Sequence, residues 1–104
     1  MKVLLQEQYM QVGVQKAELA QLLAGESVEN LTRFGGSGGW ALALSLHDGD
    51  QAVLLDGGTY CRLVLPRAAL QALGDGPGFQ RTLDLDDGTL LHLHVEVAPG
   101  EGGG

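Results

Sequence analysis

Three short dipeptides, each placed between two stretches with the character of β-strands, constrain the fold of this chain more than any other feature. They are Asp48-Gly49, Gly57-Gly58 and Asp87-Gly88. Dipeptides of this kind supply the positive φ angles that two-residue hairpin turns require. The sequence therefore predicts a mainly antiparallel sheet.

Apolar residues alternate with other residues along the flanking stretches, as expected for half-buried strands. In WALALSLH (40–47) and LLHLHVEV (90–97), one face of the strand carries only tryptophan, leucine or valine. Further strand-like runs raise the predicted count to about six or seven, and they lie at 9–14, 28–34, 51–56, 60–65 and 79–85. Residues 28–65 are predicted to form a four-stranded meander, and 79–97 a separate hairpin.

Two leucine-rich stretches predict short helices, at 16–25 and 65–74. Gly25 is placed for a left-handed C-terminal cap, and Pro66 for the first helical position. The predicted fold is a single α+β domain over residues 1–98. Its strongly twisted sheet could curl towards a half-barrel. The Gly-rich tail at 99–104 is expected to be disordered, and no internal repeat is apparent.

The charge balance excludes several classes of partner. Thirteen acidic residues against six basic ones give a formal net charge of −7, which repels nucleic-acid phosphates and anionic membrane surfaces. No apolar run is long enough for a membrane span or a signal-peptide core, so a cytoplasmic location is expected. A single cysteine, Cys61, excludes an intrachain disulfide and a multi-cysteine metal cluster, and we expect it to be buried.

The glycine-rich stretch FGGSGGW (34–40) superficially resembles a phosphate-binding loop. Such a loop needs a following helix and a Lys-Ser/Thr pair, whereas a strand follows here and no lysine is near. The stretch is therefore predicted to be a hairpin connection whose rim forms a binding surface. The residues predicted for this surface are Phe34, Gly36, Ser37, Gly38 and Trp40.

The second candidate site is on the last strand, where His92, His94 and Glu96 share one face. A His-x-His pair places its Cα atoms roughly 6–7 Å apart, which suits a shared zinc or other divalent ion. A third or fourth ligand would come from His47 or from an aspartate of the neighbouring strand. The alternative is that these histidines form the solvent-exposed face of an ordinary strand.

The chain as a whole resembles a family of small bacterial α+β domains of unknown function. The resemblance rests on MKVLL at the start, KAELAQLLAGESVENLTRFG (16–35), VLP with its short helix (64–73), and DGTLLHLHVEV (87–97). It implies the α+β fold and brings no activity, cofactor or catalytic residue. Members of that family commonly continue into a cysteine-containing segment after the last strand, where this chain has PGEGGG.

The serines, Cys61 and the three histidines form no nucleophile-elbow motif, so a non-enzymatic role is favoured over catalysis. The preferred hypothesis is an interaction module that binds an unknown protein partner or a small ligand without a cofactor. An exposed sheet edge would also allow homodimerisation by strand pairing. The alternative is a divalent-metal protein or metalloenzyme that uses the histidine face.

Overall fold

The computed structural model describes residues 1–36, 38–73 and 78–98. Ser37, residues 74–77 and the predicted tail at 99–104 lie outside the described residues. The described residues form eight strands and two helices. In chain order the elements are β1 (Lys2–Gln6), β2 (Tyr9–Val14), α1 (Lys16–Leu23), β3 (Val28–Gly35), β4 (Gly38–His47), β5 (Val53–Asp56), β6 (Tyr60–Pro66), α2 (Arg67–Gln71), β7 (Phe79–Asp84) and β8 (Leu90–Val97).

The strands form two four-stranded sheets. The terminal sheet has the order β1-β2-β8-β7, and the central sheet has the order β3-β4-β6-β5. The α+β class and the two short helices are confirmed. The prediction of one sheet with six or seven strands, curling towards a half-barrel, is wrong.

Each sheet consists of two antiparallel hairpins joined side by side through their second strands. The joining pairs, β2 with β8 and β4 with β6, are parallel. The predicted meander over 28–65 is therefore wrong, because β5 lies on the far side of β6. Gly57-Gly58 and Asp87-Gly88 do close hairpins, whereas Asp48-Gly49 begins the connection from β4 to β5.

The strand missing from the sequence prediction is β1. Its turn into β2 contains no glycine, and the positive φ angle falls on Glu7, at 51°. A non-glycine residue seldom adopts this conformation, so the stretch carried no hairpin signal. The two N-terminal strands pair from Lys2 with Gly13 to Gln6 with Tyr9.

The two halves of the chain have the same topology, which corrects the expectation that no repeat is present. Each pair of neighbouring strands has a counterpart, shifted by 51 positions along the chain, with the same register. Tyr9 pairs with His92, for example, and Tyr60 pairs with Ala41. The two helix N-caps, Gln15 and Pro66, obey the same relation. Identical residues at this spacing in the sequence are Leu4/Leu55, Tyr9/Tyr60, Ala17/Ala68, Leu19/Leu70, Leu22/Leu73, Gly25/Gly76, Leu42/Leu93 and Gly49/Gly100.

The halves interlock, since each sheet takes one hairpin from each half. The inward faces of both sheets and both helices share one apolar core, which includes Val12, Leu44, Leu63, Leu70 and Val95. Helix α1 contacts α2, β3 and β4. Gly25 follows α1 with a φ of 95°, as predicted. Pro66 is the N-cap of α2 and not its first helical residue.

Candidate functional site

A cleft of about 350 Å³ lies between β1, at one edge of the terminal sheet, and β3, at one edge of the central sheet. It is lined by Val3, Leu5, Asn30, Thr32, Phe34 and Trp40. Because both strands are the last of their sheets, each has one backbone edge that pairs with no strand among the described residues. The cleft thus combines an apolar lining with two edge strands.

Alternation along β3 places its cleft-lining residues on the inward face. Thr32 is paired with Trp40 in register, which brings the indole next to the β3 edge. Gly39 allows this close pairing, since a Cβ there would lie 2.9 Å from the carbonyl oxygen of Thr32. Phe34 lies near the end of β3, and 71% of it is exposed.

The start of β1 is fixed at the other end of this cleft. The Asn30 amide donates a hydrogen bond to the Met1 carbonyl oxygen at 2.7 Å. The Met1 ammonium group forms an ion pair with Glu18 of α1 at 2.6 Å. These contacts hold β1 beside β3, while the Leu5 end remains open and 53% of Leu5 is exposed.

The binding surface predicted from the glycine-rich stretch coincides with one end of this cleft. Phe34 and Trp40 line it, Gly36 lies in the turn with a φ of 54°, and Gly38 pairs with Gly35. Ser37 lies outside the described residues. The sequence prediction missed Val3 and Leu5 because β1 was not recognised as a strand. It also did not select Asn30 and Thr32, although both lie on the predicted strand at 28–34.

The second predicted site, on β8, does not have the geometry of a shared metal site. Strand β8 lies between β2 and β7, and its two histidines turn to opposite sides. Nδ1 of His94 is 3.3 Å from the Tyr9 hydroxyl on β2. Nδ1 of His92 is 3.2 Å from the Thr82 hydroxyl on β7.

His94 belongs to a polar network over the β2–β8 pair. Its Nε2 is buried, forms no hydrogen bond within the described structure, and lies 3.9 Å from a Glu96 oxygen. The other Glu96 oxygen accepts a hydrogen bond from the Gln11 amide at 2.9 Å. Gly78 makes room for the imidazole, since a Cβ there would lie 2.6 Å from Nε2. The His94 ring is thus packed against Tyr9, Gly78 and Glu96.

His47 does not join the β8 histidines. It ends β4 in the central sheet, and its Nε2 donates a hydrogen bond to the Gln51 carbonyl oxygen at 2.6 Å. Within 1–36, 38–73 and 78–98, no group of three or more histidine, cysteine or acidic side chains could hold a metal ion. Cys61 is buried, as expected.

A larger cleft, of about 950 Å³, lies between the other two edge strands, β5 and β7. Its rim is charged, with Arg81, Asp84, Asp86 and Asp87. The Arg81 guanidinium lies over the Phe79 ring, 4.5 Å from its centroid. Hydrogen bonds from Thr89 hold the pKa of Asp87 below its ordinary value of 3.8. The bond from the Thr89 side chain has the larger effect, and the bond from its backbone N–H has the next largest. The lining of this cleft is therefore more polar and more highly charged than that of the β1–β3 cleft.

Comparison with known proteins found no matching family model, curated protein or solved structure. The resemblance to the small bacterial α+β family therefore remains a prediction. Neither helix of the described residues has the length and apolar character needed to cross a membrane. The function is argued from the geometry of the clefts and faces alone.

Proposed function

We propose that this protein is a non-enzymatic interaction module whose β1–β3 cleft binds an extended apolar segment of a partner protein. The observation that carries the proposal is the exposure of Phe34 and Leu5 beside Trp40 in a cleft between two edge strands. Exposed large apolar side chains that line a concave surface are typical of binding sites.

Binding by strand addition explains why the site lies between two edges. An extended segment can form main-chain hydrogen bonds with an edge strand, while alternate side chains enter the neighbouring pockets. In this cleft the apolar side chains of the segment would contact Phe34, Leu5 and Trp40. Asn30 and Thr32 would provide polar groups for its backbone or for a polar side chain.

The charge of the chain narrows the class of partner. A net charge of −7 favours a neutral or basic segment and disfavours nucleic acid and anionic membrane. We propose the bacterial cytoplasm as the location, on the same sequence grounds as before. No cofactor is required for this function.

The test uses Trp40, the only tryptophan of the chain, as a reporter of the cleft. A library of hexapeptides would be screened by the change in its fluorescence, and the affinity of the selected peptides would then be measured by calorimetry. Phe34→Asp is expected to weaken binding at least tenfold, because it puts a charge into the apolar contact.

Leu90→Asp is the matched control, because Leu90 is also a strand residue that is 46% exposed, but it does not line the cleft. It should leave the affinity unchanged. If no peptide binds, or if Phe34→Asp and Leu90→Asp have the same effect, the proposal is wrong.

A further inference from the structure

The outward face of the central sheet carries a group of solvent-exposed apolar side chains. Leu31 on β3 and Tyr60 on β6 are 55% and 41% exposed, and they flank Ala41 of β4 in register. Leu55 on β5 extends the patch and is 53% exposed. Ala41 and Ala43 of β4 are 6% and 2% exposed, and they are not part of the core cluster.

The fold itself does not require this apolar face. At the equivalent places in the terminal sheet, 51 residues later in the chain, Leu31 corresponds to Thr82, Ala41 to His92 and Ala43 to His94. The same strand register is thus compatible with a polar outward face. Tyr60 and Leu55 have identical counterparts in the terminal sheet, Tyr9 and Leu4, so the difference between the sheets lies in Leu31, Ala41 and Ala43. Exposed apolar side chains clustered on one face, as here, mark an interaction site.

The charges on the patch indicate what covers it. Glu29 on β3 and Arg62 on β6 stand on either side of Ala43, at the same level along the strands. Both are exposed, and neither side chain forms an ion pair or hydrogen bond with another described residue. One carboxylate and one guanidinium thus lie at matching positions on the two strands that flank β4.

This arrangement is complementary to itself. If two copies stack face to face around a two-fold axis that runs along β4, the β3 side of one copy lies over the β6 side of the other. Glu29 then faces the Arg62 side chain of the second copy, and Leu31 faces its Tyr60, twice in each case. The small side chains of Ala41 and Ala43 lie on the axis, where they let the two sheets approach each other.

We propose that a second copy of this chain covers the outward face of the central sheet, forming a homodimer with its two-fold axis along β4. An axis across the strands at the level of Ala43 would bring Glu29 against Glu29 and Arg62 against Arg62, so the charges select the first arrangement. This differs from pairing through sheet edges, and it leaves the β1–β3 cleft accessible.

Charge reversal tests the axis directly. In the Glu29→Arg protein, both contacts of the homodimer become arginine against arginine. In the Arg62→Glu protein, both become glutamate against glutamate. Sedimentation velocity should show a dimer for the unmodified protein and dimerisation weakened at least tenfold in each variant.

Mixing the two variants should restore the dimer, because every contact of the heterodimer is then between opposite charges. This recovery also shows that both variants are folded. Gln80→Arg is the matched control, since Gln80 is the terminal-sheet residue equivalent to Glu29, and it should leave dimerisation unchanged.

Two results would overturn the proposal. One is an unmodified protein that remains a monomer at the highest attainable concentration. The other is a mixture of the two variants that associates no more strongly than each variant alone, which would point to a different axis or a different partner on this face.

Discussion

The outward faces of the two sheets occupy equivalent positions in the repeat, and they share Leu4/Leu55 and Tyr9/Tyr60. They differ in chemical character along the other two strands of each sheet. The central sheet presents Leu31, Ala41 and Ala43, where the terminal sheet presents Thr82, His92 and His94. Because the strand pairings are the same, the backbone does not dictate which residues these faces carry.

The polar groups of the terminal sheet largely satisfy one another. The Tyr9 hydroxyl is hydrogen-bonded to His94, the Thr82 hydroxyl to His92 and the Gln11 amide to Glu96. Nε2 of His94 has no hydrogen bond among the described residues. Among the described residues, the outward face of the central sheet has no comparable hydrogen bonds between side chains. We therefore propose association through the central sheet, and partner binding in the cleft beside it.

The largest predicted effect concerns the inward residues that the two halves share. Leu42→Ala and Leu93→Ala change equivalent positions, which are 0% and 2% exposed. Each should lower the free energy of unfolding by about 2–5 kcal/mol through lost burial and a residual cavity. Urea denaturation followed by circular dichroism measures both.

The interlocked topology further predicts that both variants shift one and the same transition. Two separate unfolding transitions, each sensitive to only one of the two substitutions, would show that the halves fold independently. That result would show that the two sheets do not belong to one cooperative folding unit, and their faces could not then be compared as parts of one unit.

A smaller effect is expected on the polar face itself. His94→Ala introduces an alanine, which is the residue at the equivalent position of the central sheet, Ala43. It removes a ring that is only 16% exposed together with the partner of Tyr9, and should cost about 1–2 kcal/mol of stability. His92→Ala should change stability by less than about 0.5 kcal/mol, because His92 is exposed. Equal costs in denaturant unfolding would contradict the network described here.

A smaller effect is expected at the β7–β8 turn, whose equivalent, the β3–β4 turn, has no carboxylate. Asp87 of the β7–β8 turn corresponds to Gly36 of the β3–β4 turn, and Thr89 keeps its pKa below 3.8. A lowered folded-state pKa means that the contribution to stability is complete above 3.8 and is lost as the pH falls through the lowered value. Thr89→Val should raise the Asp87 pKa part of the way back, because only the backbone hydrogen bond remains. An NMR titration that shows no change would refute this cause.

The smallest expected effect is that of zinc on the terminal sheet. Since His92 and His94 turn to opposite sides of β8, we expect no binding of micromolar affinity. Calorimetry on the metal-stripped protein and on its His92→Ala/His94→Ala variant should give the same background heat. Tight binding that the double variant loses would instead establish a metal site and revive the metalloprotein hypothesis.

The local signals of the sequence predicted the parts of the fold that local chemistry determines. Gly57-Gly58 and Asp87-Gly88 indicated hairpins, and alternation in 40–47 and 90–97 indicated which residues face inward. The signals did not show that β8 pairs with β2 or β6 with β4, because parallel pairing between distant hairpins leaves no turn motif. The repeat could have suggested this pairing, since the Tyr9 and Tyr60 segments align without a gap.

The sequence predicted only one side of the β1–β3 cleft. Phe34 and Trp40 were indicated by their position beside the glycine-rich turn, whereas Val3 and Leu5 were missed with β1. The histidine pair was a correct observation of a shared strand face. Its metal interpretation depended on where the ring nitrogens point, and that is set by Tyr9 and Thr82 on the two neighbouring strands.

The most direct test of the central claim is a map of amide chemical shifts in the isotopically labelled protein, with and without a hexapeptide selected by the Trp40 screen. We predict that the largest changes fall on β1, on β3 and on the Trp40 indole, while the amides around His92 and His94 stay unchanged. Changes concentrated on the histidine face, or on the outward face of the central sheet, would contradict the assignment of partner binding to the β1–β3 cleft.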